Sequence, residues 1–497
     1  MNRGLRIGLI VVVVLALAYP AAAWVIGISV QHQIQERVKL ALKQAPYLKV
    51  VKSDYRRGVY SSTEESTYQI SGNWLQGLPG GGLNGGQPIQ ITVRNHIHHG
   101  PLPQMQAFAP ATIDSEVILA PDLEQKIREF VGDQAHLAFH SRLKWSGGVT
   151  GVFHSTPFKK DIPNVGTIEW RGGDGTTESG ADLGAGAGEF SAPGLIVTTP
   201  KGNFAIEDVK LSSDLHLAFG QLAVGKIDFS VGHLTATASA APDFKLDSHN
   251  LTLQADSSVV SGDFLNTDAT FAMDSLEVPK FAATQLVWEI RMSHFYGPET
   301  AALNQEVIAV QTEAAQPTDP NDPAAVQRRI EVGQKLLAAF QTHGLQILGR
   351  QPVIELPRIG FKTPDGDLML SLKLAAPGIT PADISVDPKM LALAVPKFLQ
   401  ATVNARIDST LLDKLLQQAM PESDKSDAVK ARLQQLQDLG YIKIDGKALV
   451  TQITYMSGQL KINGQQFNPA ALAPPQQPQQ TPPGHKPPAP KTKRLPH

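Results

Sequence analysis

Three histidines in a short segment are the residues of this sequence best suited to chemistry. They stand in the run Asn95-His96-Ile97-His98-His99. Alternate side chains of a β-strand share one face, so His96 and His98 could present two imidazoles to one metal ion. No third ligand lies nearby in the sequence. We therefore expect surface or turn histidines here and no metal site.

The sequence motifs of nucleotide binding and of hydrolytic catalysis are incomplete or absent. Residues 220–226 satisfy the phosphate-binding pattern GxxxxGK, but Ile227 stands where a Ser or Thr would hold magnesium. The chain contains no cysteine, no GxSxG and no HExxH. Asp365 and Asp367 flank a turn glycine, where Asp is favoured for local hydrogen bonds. We expect no catalytic residues and no cofactor.

The longest apolar run predicts a membrane helix. Residues 7–30 carry no charged side chain, and about 20 such residues are enough for an α-helix to cross the hydrocarbon of a bilayer. We predict a retained transmembrane helix at residues 1–30 with the rest of the chain on one side of the membrane. The lack of cysteine fits an oxidising compartment such as the periplasm. A cleaved signal peptide is the alternative, because three alanines at 21–23 offer a cleavage site before Trp24.

Alternation of apolar and polar residues predicts an antiparallel sheet in the middle of the chain. The pattern is clearest between residues 204 and 278. Its apolar face must pack on helices or on a second sheet, or it must curl into a trough that holds acyl chains. The sequence leaves these outcomes open. The candidate groove residues are Leu215, Leu217, Phe219, Ile227 and Phe229.

The predicted fold class is α+β. It combines one N-terminal transmembrane helix, an antiparallel β-meander-rich periplasmic body with covering helices, and a disordered tail rich in proline and glutamine. The predicted regions are an anchor at 1–30, a β-rich region at 31–295, a helical hairpin at 296–350, a C-terminal α+β region at 351–468 and the tail at 469–497.

Short motifs near both ends of the chain resemble the bacterial YdgA family. They are Tyr55-Arg56-Arg57-Gly58-Val59-Tyr60-Ser61-Ser62, then His99-Gly100-Pro101-Leu102, and finally the segment 440–464 with its Asn-Gly turn. Val59 is less aromatic than the family pattern, and the long tail after Gln466 is not a family feature. The resemblance implies a periplasmic protein anchored in the inner membrane, and it supplies no catalytic residues.

The composition argues against nucleic-acid binding, since 44 basic and 46 acidic residues give a net charge of −2. The function that we predict is non-catalytic: a membrane-anchored periplasmic protein that binds or scaffolds lipid or another component of the cell envelope. The alternative is an envelope hydrolase whose site is assembled from distant residues. The expected partners are the inner membrane and a lipid or an envelope polymer, with a homodimer left open.

Overall fold

A computed structural model describes residues 3–45, 48–70, 89–119, 125, 128, 137–163, 165–220, 222–239, 241–314, 323–384, 396–419 and 423–472. The predicted disordered tail lies outside the described residues from position 473 onward.

Twenty-two strands of the described chain form one antiparallel sheet. The strands are β1 (Leu48–Arg57), β2 (Ser61–Ile70), β3 (Ile89–His99), β4 (Ala111–Leu119), β5 (Leu137–Leu143), β6 (Val149–Ser155), β7 (Phe158–Ile162), β8 (Gly166–Trp170), β9 (Gly173–Ser179), β10 (Ala185–Thr199), β11 (Gly202–Ala218), β12 (Leu222–Ala238), β13 (Ala241–Val260), β14 (Phe264–Val278), β15 (Phe281–Tyr296), β16 (Val353–Thr363), β17 (Gly366–Ala375), β18 (Gln400–Asp408), β19 (Lys443–Asp445), β20 (Ala448–Met456), β21 (Gln459–Ile462) and β22 (Gln465–Gln466).

Most strands pair with their neighbours in the chain. β1 to β6 pair in order, β6 then pairs with β9, and β9 to β18 continue in order. β7 and β8 form a hairpin that joins the last part of β10. β18 pairs with β20, and β21 and β22 follow. The C-terminal strands therefore continue the same sheet.

Tight turns join the strands. Asn463 and Gly464 connect β21 to β22 with φ of 51° and 84°. Two successive residues with positive φ match the right-handed twist of the flanking strands, and Asn followed by Gly adopts this conformation most readily. Ser261 and Gly262 take the same pair of positive φ angles between β13 and β14. Local turn chemistry thus supports the up-and-down order of the sheet.

The helices of the described chain are α1 (Arg3–Gln44), α2 (Gly297–Ala314), α3 (Pro323–Ala339), α4 (Leu345–Leu348), α5 (Pro381–Ile384), α6 (Ser409–Ala419) and α7 (Ser423–Asp438). α2 and α3 lie in the region of the predicted helical hairpin, and α2 contacts β12 and β15. α6 contacts β17 and β18 and buries Leu411 to 1% exposure.

Helix α1 packs on the first strands of the sheet. Val30 forms a core cluster with Ile97, Ala111 and Leu143, and each of these side chains is at most 1% exposed. Since full burial of one large aliphatic side chain is worth about 1.5–3 kcal/mol, this cluster is a substantial docking contact.

A buried histidine fixes the helix at a second point. His99 Nδ1 lies 3.0 Å from the carbonyl oxygen of Ala23, and His99 Nε2 lies 3.0 Å from Ser62 Oγ. Burial lowers the pKa of His99 and so favours the neutral ring. Nδ1–H therefore donates to Ala23, and Nε2 accepts from the hydroxyl of Ser62. The imidazole lies flat against Gly27, where a Cβ would stand 2.5 Å from Cε1.

Polar contacts extend the docking in both directions along α1. The Tyr19 hydroxyl donates to the carbonyl of Leu102 at 2.8 Å. Arg37 donates hydrogen bonds to two turns of the sheet, to the carbonyl of Gly180 at 2.7 Å and to the carbonyl of Gly147. The helix is thus attached to the body of the protein from Tyr19 to Arg37.

The predicted transmembrane helix at residues 1–30 is wrong. Nowhere in the described part of the chain is a helix long and apolar enough to cross a membrane. The apolar run does become helical, but Val30 and its neighbours pack on protein where we expected lipid. The predicted α+β class is corrected too, because most of the chain forms one large antiparallel sheet.

Candidate ligand groove

A row of apolar side chains crosses one face of the sheet. Residues that pair directly across antiparallel strands point to the same face. Each member of this row is the direct partner of the next. We call it the apolar stripe, and it consists of Phe139, Phe153, Gly175, Phe190, Leu211, Phe229, Leu253, Phe271, Trp288, Ile359 and Leu370.

The aromatic rings at the start of the stripe contact one another. The ring centroids of Phe139 and Phe153 are 5.0 Å apart, and those of Phe153 and Phe190 are 6.1 Å apart. Gly175 lies between the last two rings, where a Cβ would stand 3.5 Å from Phe190 and 3.7 Å from Phe153. The glycine therefore leaves room for the rings to approach across β9.

The middle of the stripe is open to solvent. Leu211 and Leu253 are each 41% exposed, and Trp288 is 50% exposed. Phe190, Phe229 and Phe271 are half-buried. Large apolar side chains in direct register and in contact with water typically mark a binding surface when they are contiguous.

A cavity of about 520 Å³ lies on this part of the sheet. Phe190, Leu211 and Phe229 of the stripe contribute to its lining, but most of the lining comes from their immediate strand neighbours, such as Lys210 and Asp228. The side chains of these neighbours point to the face opposite the stripe. Its size falls within the usual range of about 300–1,000 Å³ for small-molecule sites. The cavity is therefore a feature of the opposite face, and the exposed apolar surface of the stripe is a separate candidate for binding hydrocarbon.

The structure places four of the predicted groove residues on one face of β11 and β12. Leu215 and Leu217 lie on β11 at even spacing from Leu211, and Ile227 lies two residues before Phe229 on β12. All four are half-buried, and Phe229 alone among them lines the cavity.

Phe219 has a different place from the other predicted groove residues. It lies in the turn after β11 with φ of 50°, and its ring packs against Gly297 at the start of α2. The ring therefore contacts a helix where we predicted a groove lining.

Phe190, Leu253 and Trp288 belong to the stripe but were not among the predicted groove residues. Phe190 follows a glycine-rich segment that hides the start of β10, and Leu253 and Trp288 lie on strands beyond the first hairpin. Counting residues outward from each hairpin turn would have found them, because residues equidistant from a turn face each other.

The histidines at 96 and 98 do not gain a third ligand among the residues that the structure describes. His96 is exposed and His98 is half-buried on β3. In the same described ranges, one group of three side chains could hold a metal ion, and it lies elsewhere, at His233, Asp247 and His249. Gly220 and residues 222–226 lie in the β11–β12 hairpin, in keeping with the incomplete phosphate motif.

Residues 1–470 match a family model described as "Bacterial protein of unknown function (DUF945)". The chain belongs to this family. No curated protein and no solved structure matches the chain. In this chain, Ser62 of the segment 55–62 and His99 of the segment 99–102 form the contact that holds α1 on the sheet: His99 bonds to the carbonyl of Ala23 and to the hydroxyl of Ser62. The motif residues therefore stabilise the fold at that point and lie outside the cavity.

Proposed function

We propose that this DUF945 protein binds the acyl chain of a lipid along its apolar stripe and performs no catalysis. The observation that carries the proposal is the open middle of the stripe, where Leu211, Leu253 and Trp288 are 41–50% exposed although they stand in direct register with half-buried aromatic residues.

The shape of the stripe favours a long ligand over a compact one. Neighbouring strands lie about 4.8 Å apart. The five steps from Phe190 on β10 to Trp288 on β15 therefore cover roughly 24 Å. An extended hydrocarbon laid across these strands would cover every exposed member, and each Å² of apolar surface removed from water contributes about 25 cal/mol.

A place in the cell envelope and kinship with YdgA proteins are part of the same proposal. The motifs at 55–62, 99–102 and 440–464 support the kinship, and the match to a bacterial family is consistent with it. The lack of cysteine suits an oxidising compartment, where a stray thiol is a hazard.

The test is titration of the full chain with a fluorescent fatty acid. We expect saturable binding to the parent protein. Leu211→Asp should weaken it at least tenfold, because the new carboxylate would have to be desolvated beside the hydrocarbon. His216→Asp is the matched control: His216 is exposed on the same strand, points to the other face and lies outside the cavity lining.

The melting temperature of each variant is measured alongside. Both substitutions are at exposed sites, so both proteins should melt close to the parent. Absence of saturable binding to the parent, or an equal loss in the two variants, would rule out the proposed function.

A further inference from the structure

Two histidines and an aspartate converge on β12 and β13. His233 and His249 are direct partners across the hairpin, and their rings stack with centroids 4.3 Å apart. Asp247 Oδ1 lies 3.0 Å from His233 Nε2 and 3.1 Å from His249 Nε2. The three atoms lie within 4.8 Å of one another.

These distances fit a tetrahedral metal site. Zinc binds imidazole nitrogen and carboxylate oxygen at about 2.0–2.2 Å, so two ligands of one tetrahedral ion stand roughly 3.3–3.5 Å apart. The two nitrogen-to-oxygen distances of 3.0 and 3.1 Å are a few tenths shorter. A metal ion lies in the plane of each imidazole that binds it, so the stacked rings of His233 and His249 would have to turn out of their stack about their side-chain torsions to admit the ion.

Two of the three proposed ligands, His233 and Asp247, have an orienting partner behind the metal-facing atom. Glu207 pairs with His233 across β11 and β12, and its Oε2 lies 3.4 Å from His233 Nδ1. A carboxylate at Nδ1 leaves Nε2 free to bind a metal. Glu207 is itself held by Arg171 Nη1 at 2.5 Å.

The aspartate is oriented in the same way. Lys245 Nζ lies 3.2 Å from Asp247 Oδ2, so the second oxygen is occupied while Oδ1 faces the two imidazoles.

The cluster is accessible. The side chains of His233, Asp247 and His249 are 32%, 21% and 51% exposed. Asp247 and His249 also line a cavity of about 560 Å³ that reaches Thr284 and Asp367. Three protein ligands beside an open space are typical of metal sites that keep one position for water or another ligand.

We propose that His233, Asp247 and His249 bind one divalent transition-metal ion of the class that prefers imidazole, with Zn²⁺ as its representative. Glu207 is a positioning residue that acts through His233. The site is independent of lipid binding, since none of these residues belongs to the apolar stripe.

The experiment titrates the full chain, first stripped with a chelator, with Zn²⁺ in a calorimeter. We expect one strong site per chain. His249→Gln and His233→Gln each remove one ligand and should abolish that site. Glu207→Gln should weaken binding about 10- to 100-fold, as is usual for a partner that orients a metal-binding imidazole.

His154→Gln is the matched control, because His154 pairs with Asp174 at 2.6 Å on the same sheet but has no second histidine in its cluster. This variant should bind Zn²⁺ as the parent does. The visible absorption of bound Co²⁺ gives a second measurement that responds to the ligand set, and it should be lost in both ligand variants and retained in His154→Gln.

Two results would overturn the proposal. One is a parent protein that does not bind one Zn²⁺ ion per chain. His233, Asp247 and His249 would then be held together by hydrogen bonds alone. The other is a site whose affinity is the same in the parent and in both ligand variants. Circular dichroism checks the fold of each variant, and since two different histidines are replaced, the result does not depend on one substitution.

Discussion

One face of the sheet has two different environments. Asn95, Ser115 and Phe139 are successive cross-strand partners, so the face of β3 and β4 that α1 covers is the face that carries the apolar stripe. Under the helix, Ile97 and Leu143 are at most 1% exposed. In the apolar stripe from β11 to β15, Leu211, Leu253 and Trp288 are 41–50% exposed.

Apolar and polar residues alternate along the strands in both regions. The difference in exposure therefore comes from helix α1, which covers only one of them. Gly27 gives His99 a flat surface, the carbonyl of Ala23 accepts a hydrogen bond from its ring, and Arg37 reaches the turns after β5 and β9. An alternating strand therefore requires a partner for its apolar face without specifying which partner. We infer protein as the partner at one end of the face and propose lipid as the partner in the middle.

The largest effect should come from truncating the same side chain in the two environments. Leu143→Ala opens a cavity under α1 and should lower the free energy of unfolding by about 2–5 kcal/mol. Leu211→Ala removes atoms that already contact water and should cost about 1 kcal/mol or less. Denaturant unfolding of both variants checks the pair. Equal losses would mean that the stripe is sealed core.

Gly27→Ala should disrupt the packing of α1 on the sheet at one point, the contact with His99. The new methyl group would collide with the His99 ring, which must then leave Ala23 and Ser62, at a cost of about 1–3 kcal/mol for the buried groups left unpaired. Gly333→Ala is the control, because Gly333 lies in α3 with open space around it and should gain about 0.5–1 kcal/mol from helix propensity. Thermal unfolding should therefore shift in opposite directions.

Lowering the pH should weaken the docking of α1 on the sheet before it affects the open middle of the apolar stripe. Burial lowers the pKa of His99 below the usual value of about 6.5. The neutral ring is favoured in the fold, so its contribution is complete above pH 6.5 and is lost as the pH falls through the folded pKa. Hydrogen exchange of residues 19–37, corrected for the intrinsic effect of pH, should show less protection at pH 5 than at pH 7.5. His99→Gln should reduce this dependence, and an unchanged dependence would assign it to other groups.

The smallest effect is a spectral one in the open middle. Trp288 is 50% exposed in the stripe, so a bound acyl chain should exclude water from its ring and shift its emission to shorter wavelength. Because the chain has five tryptophans, the signal is assigned by its loss in Trp288→Phe. A shift that persists in this variant would place the ligand elsewhere.

Periodicity predicted much of the sheet. The alternation between 204 and 278 corresponds to β11–β14, and it placed Leu215, Leu217, Ile227 and Phe229 on one face of two strands. Strand pairing follows from short turns, since consecutive strands joined by tight connections must be antiparallel neighbours. This part of the fold is local, and local patterns are what a sequence displays.

The environment of the apolar run in α1 could not be predicted in this way. Val30 is equally suited to lipid and to a protein core, and its partners Ala111 and Leu143 lie far along the chain. The histidine cluster was missed for a similar reason. His233 and His249 are 16 residues apart, and they meet only because they are equidistant from the turn near residue 241.

The contacts of Arg37 also impose an order of events during synthesis. Its acceptor at Gly180 is made 143 residues later in the chain. At translation rates of about 5–20 residues per second, that interval is on the order of ten seconds. The hairpins of the sheet can close as they emerge, because their partners are adjacent. Helix α1 is synthesised before the strands of the sheet, and its docking cannot be completed until β9 has ended.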